Sequence, residues 1–313
     1  MTARKKISDW LIKHPGVNPY KFSINNSVRK ISSGNRMLPS FLIIGAAKSG
    51  TTSLYANLIE HPNIVPSSKK EISFFQFMQD TRISFYKEHF PLKKKNFITG
   101  EASASYLPHK FIPKRVYDLI PDVKLITILR DPVERAYSSF FHKLRLGEQI
   151  IDNFEDTIDV EFNRMKLEET NPELVIDNLN YDHPSFSYLK HGLYAKHLEN
   201  WYRYFQKDQI LILDTKEFQK YPDKIMQKTF NFLNINKFEI KKLDPSKMKK
   251  LYSMNDERIT ENNKTDSMNK TKLNVQTYPE MKNETRKRLQ EFFKPHNEKL
   301  FSLIGKRFDW NYE

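Results

Sequence analysis

Short apolar runs alternate along this chain with stretches in which apolar residues recur every three or four positions. FLIIG at 41–45 is continuous and ends in glycine, the pattern of a strand buried on both faces. In the AAKSGTTSLYANLIEHP that follows, Leu54, Leu58 and Ile59 fall at helical spacing and Pro62 closes the segment. The alternation then repeats. NFITGEAS (96–103) is a strand end, FIPKRVYDLIP (111–121) a helix, VKLITILR (123–130) a strand and PVERAYSSFFHKLRLG (132–147) a helix. YAKHLENWYRYF (194–205) is a helix, QILILDTKEF (209–218) a strand with its turn, and DKIMQKTFNFLNI (223–235) a helix. Strands alternating with helices of this length predict an α/β fold: a parallel sheet with helices on both faces, in one domain.

Other stretches carry weaker periodicity. Residues 1–38 are expected to be a basic N-terminal extension, with a short helix around Ile7–Ile12, ahead of a domain over 39–313. Residues 152–185 are acidic and polar and are expected to be an irregular surface insertion, and 244–277 a long Lys/Asn/Ser/Thr-rich loop. The last helix is expected from Pro279 through Leu303, broken at Pro295. In the aromatic group Trp201, Tyr202, Tyr204 and Phe205, core packing is favoured over a sugar-stacking platform.

Composition narrows the chemistry. With no cysteine among 313 residues, a disulfide framework, a thiolate metal site and a cysteine nucleophile are all excluded. No apolar run is long enough to span a bilayer, and charges interrupt the N-terminus before a signal-like stretch forms, so a cytoplasmic protein is the default expectation. On that expectation the Asn-x-Ser/Thr triplets at Asn25, Asn263, Asn269 and Asn283 are chance matches. The net charge of +14 sits at the two ends: residues 1–40 carry eight basic and one acidic side chain, and 241–313 carry 17 and 11. Such a balance suits anionic ligands or acceptors, and equally a solvated lysine-rich surface.

Only eight glycines occur, and two of them bracket one loop, Gly45-Ala46-Ala47-Lys48-Ser49-Gly50-Thr51-Thr52, between the first strand and its helix. Glycines let backbone wrap an anion, the helix N-terminus offers unpaired N–H groups, and Lys48, Thr51 and Thr52 add a charge and two hydroxyls. The loop is similar to a nucleotide-binding Walker loop. That pattern, however, puts lysine directly after the second glycine, where this chain has Thr51. A Walker enzyme also needs an acid ending a neighbouring strand. Here Arg130 precedes Asp131, and a cation there suits a second phosphate better than a metal. Ser138, two turns into the next helix, is placed to face the same crevice as Arg130. No metal-ligand cluster is evident among the nine histidines.

Taken together, FLIIGAAKSGTTSLYANLIEHP and ITILRDPVERAYSSFFH resemble the 5′-phosphosulfate loop and the 3′-phosphate motif of the sulfotransferases that use 3′-phosphoadenosine 5′-phosphosulfate. KKEISFF (69–75), GEASASYL (100–107), residues 191–218 and residues 278–310 are similar to the branch that includes the heparan sulfate and bacterial enzymes. The resemblance implies that Lys48 contacts the sulfuryl group and bridging oxygen. It implies that Thr51 and Thr52, with the N–H groups of the Ser49–Gly50 turn, hold the 5′-phosphate, and that Arg130 and Ser138 hold the 3′-phosphate. Glu71, in the K-E-x-x-F-F pattern, matches the general base. Glu101, His109 and His142 remain alternatives for that role, and an ion pair with Lys69 or Lys70 is the purely structural alternative for Glu71. The chain departs from the family pattern at Ala102, where several relatives have lysine, and at Ser73, where some have histidine. Lys270 or Lys272 would stand in for the C-terminal cofactor-loop cations.

The function expected is sulfuryl transfer from 3′-phosphoadenosine 5′-phosphosulfate, without an obligatory metal, to a hydroxyl or amine on a carbohydrate or small metabolite. The product is 3′-phosphoadenosine 5′-phosphate, and no nucleic-acid partner is expected. The rivals are a nucleotide kinase or NTPase built on the same kind of loop, and a non-enzymatic polyanion-binding protein that uses the basic ends.

Overall fold

The computed structural model describes residues 32–76, 82–149, 151–170, 187–240 and 279–310. Most of the N-terminal extension, the helix expected at 7–12, the loop at 244–277 with Lys270 and Lys272, and three of the four Asn-x-Ser/Thr sites lie outside the described residues.

The described residues form a four-stranded, wholly parallel sheet in the order β2-β1-β3-β4, from β1 (Phe41–Gly45), β2 (Gly100–Ala102), β3 (Lys124–Leu129) and β4 (Ile210–Asp214). Phe41 is in register with both Gly100 and Lys124, and Leu125 with Ile210. Strand residues alternate between the two faces, and both faces are apolar. On one face, Leu42, Ile44, Leu125, Leu129 and Ile210 pack on α3 (Ile112–Leu119), α6 (Tyr194–Trp201) and the C-terminal end of α9 (Asn283–Ile304). On the other, Phe41, Ile43, Ile126, Ile128, Leu211 and Leu213 pack on α1 (Thr51–Leu58), α7 (Thr215–Lys220) and α8 (Pro222–Phe232). The expected α/β architecture with helices on both faces is what the chain adopts. A third cluster joins α4 (Pro132–Leu146), α5 (Phe154–Thr170) and the first half of α9. Trp201 and Phe205 are buried in the first cluster, with Tyr202 and Tyr204 packed against it, so the aromatic group is core as expected.

Two expectations need correction. Residues 154–170 are helix α5, not irregular surface. Its buried stripe is Phe154, Thr157, Ile158 and Glu161, and the acid on that stripe hides the period. Glu161 can be buried because its carboxylate accepts the N–H groups of Tyr188, Leu189 and Lys190, at 2.7–2.9 Å. Helix α9 starts at Asn283 and runs through Pro295 without a break. Pro295 and Glu291, whose carbonyl loses its helical donor, are both exposed, where solvent can compensate for that lost bond. Burial at Leu289, Phe293, Asn297, Leu300 and Phe301 continues across the proline. Among the described residues, no helix is long and apolar enough to cross a membrane.

Candidate functional site

The site lies at the carboxyl ends of the parallel strands, where open α/β sheets place ligands. β1 ends at Gly45, whose backbone is left-handed (φ +157°). An added Cβ there would sit 2.7 Å from Leu107 Cβ and 3.1 Å from the Ala104 carbonyl oxygen, so only glycine lets the two segments approach this closely. Beyond it, Lys48 takes φ +67° and Gly50 φ +97°, which turns the chain into α1. Neighbouring strand ends hold the loop. The Ala46 N–H donates to Ile128 O (2.8 Å), and the Thr215 hydroxyl, at the end of β4, lies 2.7 Å from Ser49 O and 2.8 Å from Leu129 O. Ser49 is fully buried and its N–H donates to Ala46 O, so it shapes the turn from inside. Thr51 and Thr52 open α1, with Gly50 as its N-cap and no side-chain cap on the first turn. That N-terminus keeps its free N–H donors and its positive dipole end for a ligand.

Arg130 follows β3. Its carbonyl accepts the Tyr194 hydroxyl (2.8 Å), its guanidinium reaches Lys48 O at 3.5 Å, and it pairs with Glu134 at 3.6 Å. Glu134 also binds Arg286 of α9. Asp131, the acid that a Walker reading would assign to a metal, instead caps α4 by accepting the Val133 N–H at 2.8 Å. Ser138, His142 and Arg145 share one face of α4 at spacings of four and three. His142 Nδ1 accepts from Arg145 at 2.8 Å.

These elements converge around the Lys48 amine. Burial, and then repulsion from Arg145, Arg130 and Lys70, brings it down to about 8. Burial, with Lys48, Arg145 and Lys143 nearby, lowers His142 to about 4 and keeps its ring neutral. A lysine lowered by burial among other cations is stabilised in its charged form by a multiply charged anion, and that is the ligand this donor set fits. Arg145 and Lys70 are members that the sequence reading missed. The spacing of Arg145 from Ser138, seven residues along one helix, was the available signal.

On the opposite side, residues 71–76 pass the end of β2. Glu71 (φ +56°) donates its N–H to Ala102 O (2.9 Å), accepts the Ala104 N–H on Oε2 (2.9 Å) and pairs through Oε1 with buried Lys70. Its carboxylate is thus held by a backbone donor as well as by an ion pair, and its side chain remains 31% exposed, open to a substrate. Glu101 is in a different environment. It is fully buried and accepts from Tyr86, Tyr106 and Ser103, and burial raises it to about 7. Glu101 is thus shut off from solvent, whereas the Glu71 side chain is partly exposed. The other alternative, His109, receives the Phe111 N–H on Nδ1 at 3.4 Å, at the turn before α3. Among the described residues, no group of three or more His, Asp or Glu side chains could hold a metal ion.

A family model described as "Sulfotransferase domain" matches residues 38–303. Over 286 residues the chain is 32% identical to the bifunctional heparan sulfate N-deacetylase/N-sulfotransferase 4 of Mus musculus, a match covering 85% of this chain and 30% of that protein. It is 29% identical over 280 residues to the heparan sulfate glucosamine 3-O-sulfotransferase 3B1 of Homo sapiens, covering 89% of this chain and 66% of that one. The chain therefore spans less than a third of the length of the first of these relatives. Among solved structures, a sulfotransferase from Alicyclobacillus acidocaldarius superposes with a TM-score of 0.64 at 24% identity, covering 87% of this chain and 98% of that one, a likeness of fold.

Proposed function

The chain belongs to the sulfotransferase domain family, and from that premise we propose that it transfers a sulfuryl group from 3′-phosphoadenosine 5′-phosphosulfate to a hydroxyl or amine of a carbohydrate acceptor. One observation carries the reading: a cation cluster around Lys48 at an uncapped helix N-terminus, with the Glu71 carboxylate held across the strand ends from it. The bound donor supplies an activated sulfuryl group whose bond to a phosphate oxygen breaks as the bond to the acceptor forms.

The chain's own residues do the rest. The N–H groups of Gly50, Thr51 and Thr52 and the two threonine hydroxyls hold the 5′-phosphate. Lys48 meets the negative charge that builds on the departing phosphate oxygen, a role in which a preorganised cation outperforms water. Arg130 and Ser138 take the 3′-phosphate, Arg130 exchanging its long contact with Glu134 for a shorter charge-assisted one. Glu71 Oε1 or Oε2 accepts the acceptor's proton, and Lys70 balances its charge beforehand. Charge neutralisation comes from side chains in this reading, so transfer proceeds in EDTA. The carbohydrate class is supported by the relatives, whose names specify heparan sulfate.

The test is transfer of labelled sulfate from the donor to a panel of glycans in EDTA, by wild type, Lys48→Met and Glu71→Gln. Transfer by wild type that is lost in both variants supports the reading. Full transfer by either variant contradicts the assigned roles.

A further inference from the structure

Glu101 takes no part in the transfer just described, yet it lies at the centre of the hydrogen bonds that hold the turn after Glu71. Its Oε1 accepts from the hydroxyls of Tyr86 (2.8 Å) and Tyr106 (3.1 Å), and its Oε2 accepts from Ser103 Oγ (2.9 Å). Ser103 Oγ in turn accepts the N–H of Ser73 (3.2 Å), and the Tyr106 hydroxyl that of Phe75 (3.5 Å). Two backbone groups of the turn after Glu71 therefore hang on hydroxyls that Glu101 orients. The turn needs such support. Glu71 and Ser73 both adopt left-handed backbone, at φ +56° and +57°, with no glycine between them, and such residues persist only where their surroundings over-determine them.

We propose that Glu101 is a positioning residue: ionised, it locks the turn that presents Glu71; protonated, it releases that turn. The chemistry identifies the bond that changes. Oε1 already accepts two hydroxyl protons, so an incoming proton goes to Oε2 and must be donated to Ser103 Oγ. The Ser103 hydroxyl proton then loses its acceptor in a buried setting, and its rotation disturbs the bond from Ser73 N–H. The groups facing Glu101 are Tyr86 from α2 (Ile83–Glu88), Tyr55 from α1, Tyr106 and Ser103 from its own segment, and Glu71. Burial raises all three phenols above their ordinary value, so they stay protonated and continue to donate. Burial, with the nearby Glu71 charge adding to it, brings Glu101 itself to about 7. The change therefore falls near neutrality.

The test does not depend on activity. Residue-resolved amide exchange, corrected for intrinsic rates, is followed at Ser73 and Ala104 from pH 8 to pH 6 in the full chain. Protection in wild type should fall about tenfold on acidification, as expected for an opening linked to one proton. In Ser103→Ala, which leaves Glu101 in place but cuts the link, Ser73 should be poorly protected at every pH. Wild-type protection that stays flat, or a fall that survives in Ser103→Ala, overturns the proposal. An activity arm, which rests on the sulfotransferase reading above, follows kcat over the same range. Removing one donor with Tyr86→Phe should move the acidic limb to higher pH, and a limb that does not move argues against Glu101. If wild type transfers no sulfate, that reading fails, and the exchange result still decides the role of Glu101.

Discussion

The two loops that build the site are held in opposite ways. The loop after β1 meets its left-handed backbone partly with glycine, at Gly45 and Gly50, and gathers cations that repel one another. The turn at 71–76 has no glycine. It places Glu71 and Ser73 in the same strained region and fixes them through Ala102, Ser103 and Ala104, behind which sits a buried acid. The first loop is set by its glycines together with bonds from the ends of β3 and β4, and an anionic ligand would relieve its excess charge. The second is set by its neighbours, and its geometry depends on the proton count of Glu101. In the function proposed above, binding and proton transfer fall to differently stabilised pieces, and each should fail in its own way.

Predictions that separate the two run from large to small. Lys48→Met should lower kcat by about 10²–10³, the usual loss for a donor aimed at developing charge, while thermal stability stays level or rises as a repelled cation is removed. Glu101→Gln should change the dependence of stability on pH. Because the folded pKa of about 7 lies above the ordinary 4.5, wild type is favoured most below pH 4.5 and loses about 3 kcal/mol as pH rises to 7. Urea titrations across that window should show this contribution vanish in the variant. Activity should move the opposite way with pH, since ionised Glu101 locks the turn, and that opposition separates positioning from general stability.

A smaller effect follows from Lys48 near 8. Affinity for the product nucleotide should hold below pH 8 and weaken above it by up to about tenfold per pH unit in wild type, with a flatter curve in Lys48→Met, by calorimetry. Smallest are the backbone changes. Gly50→Ala has room for its methyl group, with Ile128 Cδ1 nearest at 3.9 Å, so it should cost only the left-handed strain, about 1–2 kcal/mol. Ser73→Gly should relieve strain of similar size but lose rigidity, and its net change in unfolding free energy should stay within about 1 kcal/mol.

The same contrast explains what could be read from the sequence. The parallel sheet was legible because FLIIG and KLITIL are uninterrupted apolar runs followed by periodic helices. The loop between β1 and α1 was legible because its glycines mark the turn and its lysine and threonines declare their charge and hydroxyls locally. Glu71 could be picked from a pattern, but its support could not, since Ala102 and Ala104, and Ser103 beside Ser73, meet this turn only through the fold. Arg145 was missed because the charge it faces, Lys48, lies in the loop after β1, far away in sequence. Helix α5 was missed because Glu161, polar by type, occupies a core position that only the backbone N–H groups of 188–190 make tolerable.

The most direct test of the central claim, that the strand ends form one site for a ligand with two separated phosphate groups, is calorimetry in EDTA with 3′-phosphoadenosine 5′-phosphate and AMP. Wild type should bind the bisphosphate at least about tenfold more tightly, and Arg130→Ala should bring it down to the level of AMP. Equal affinity for the two nucleotides in wild type, or binding seen only for ATP with magnesium, would contradict it.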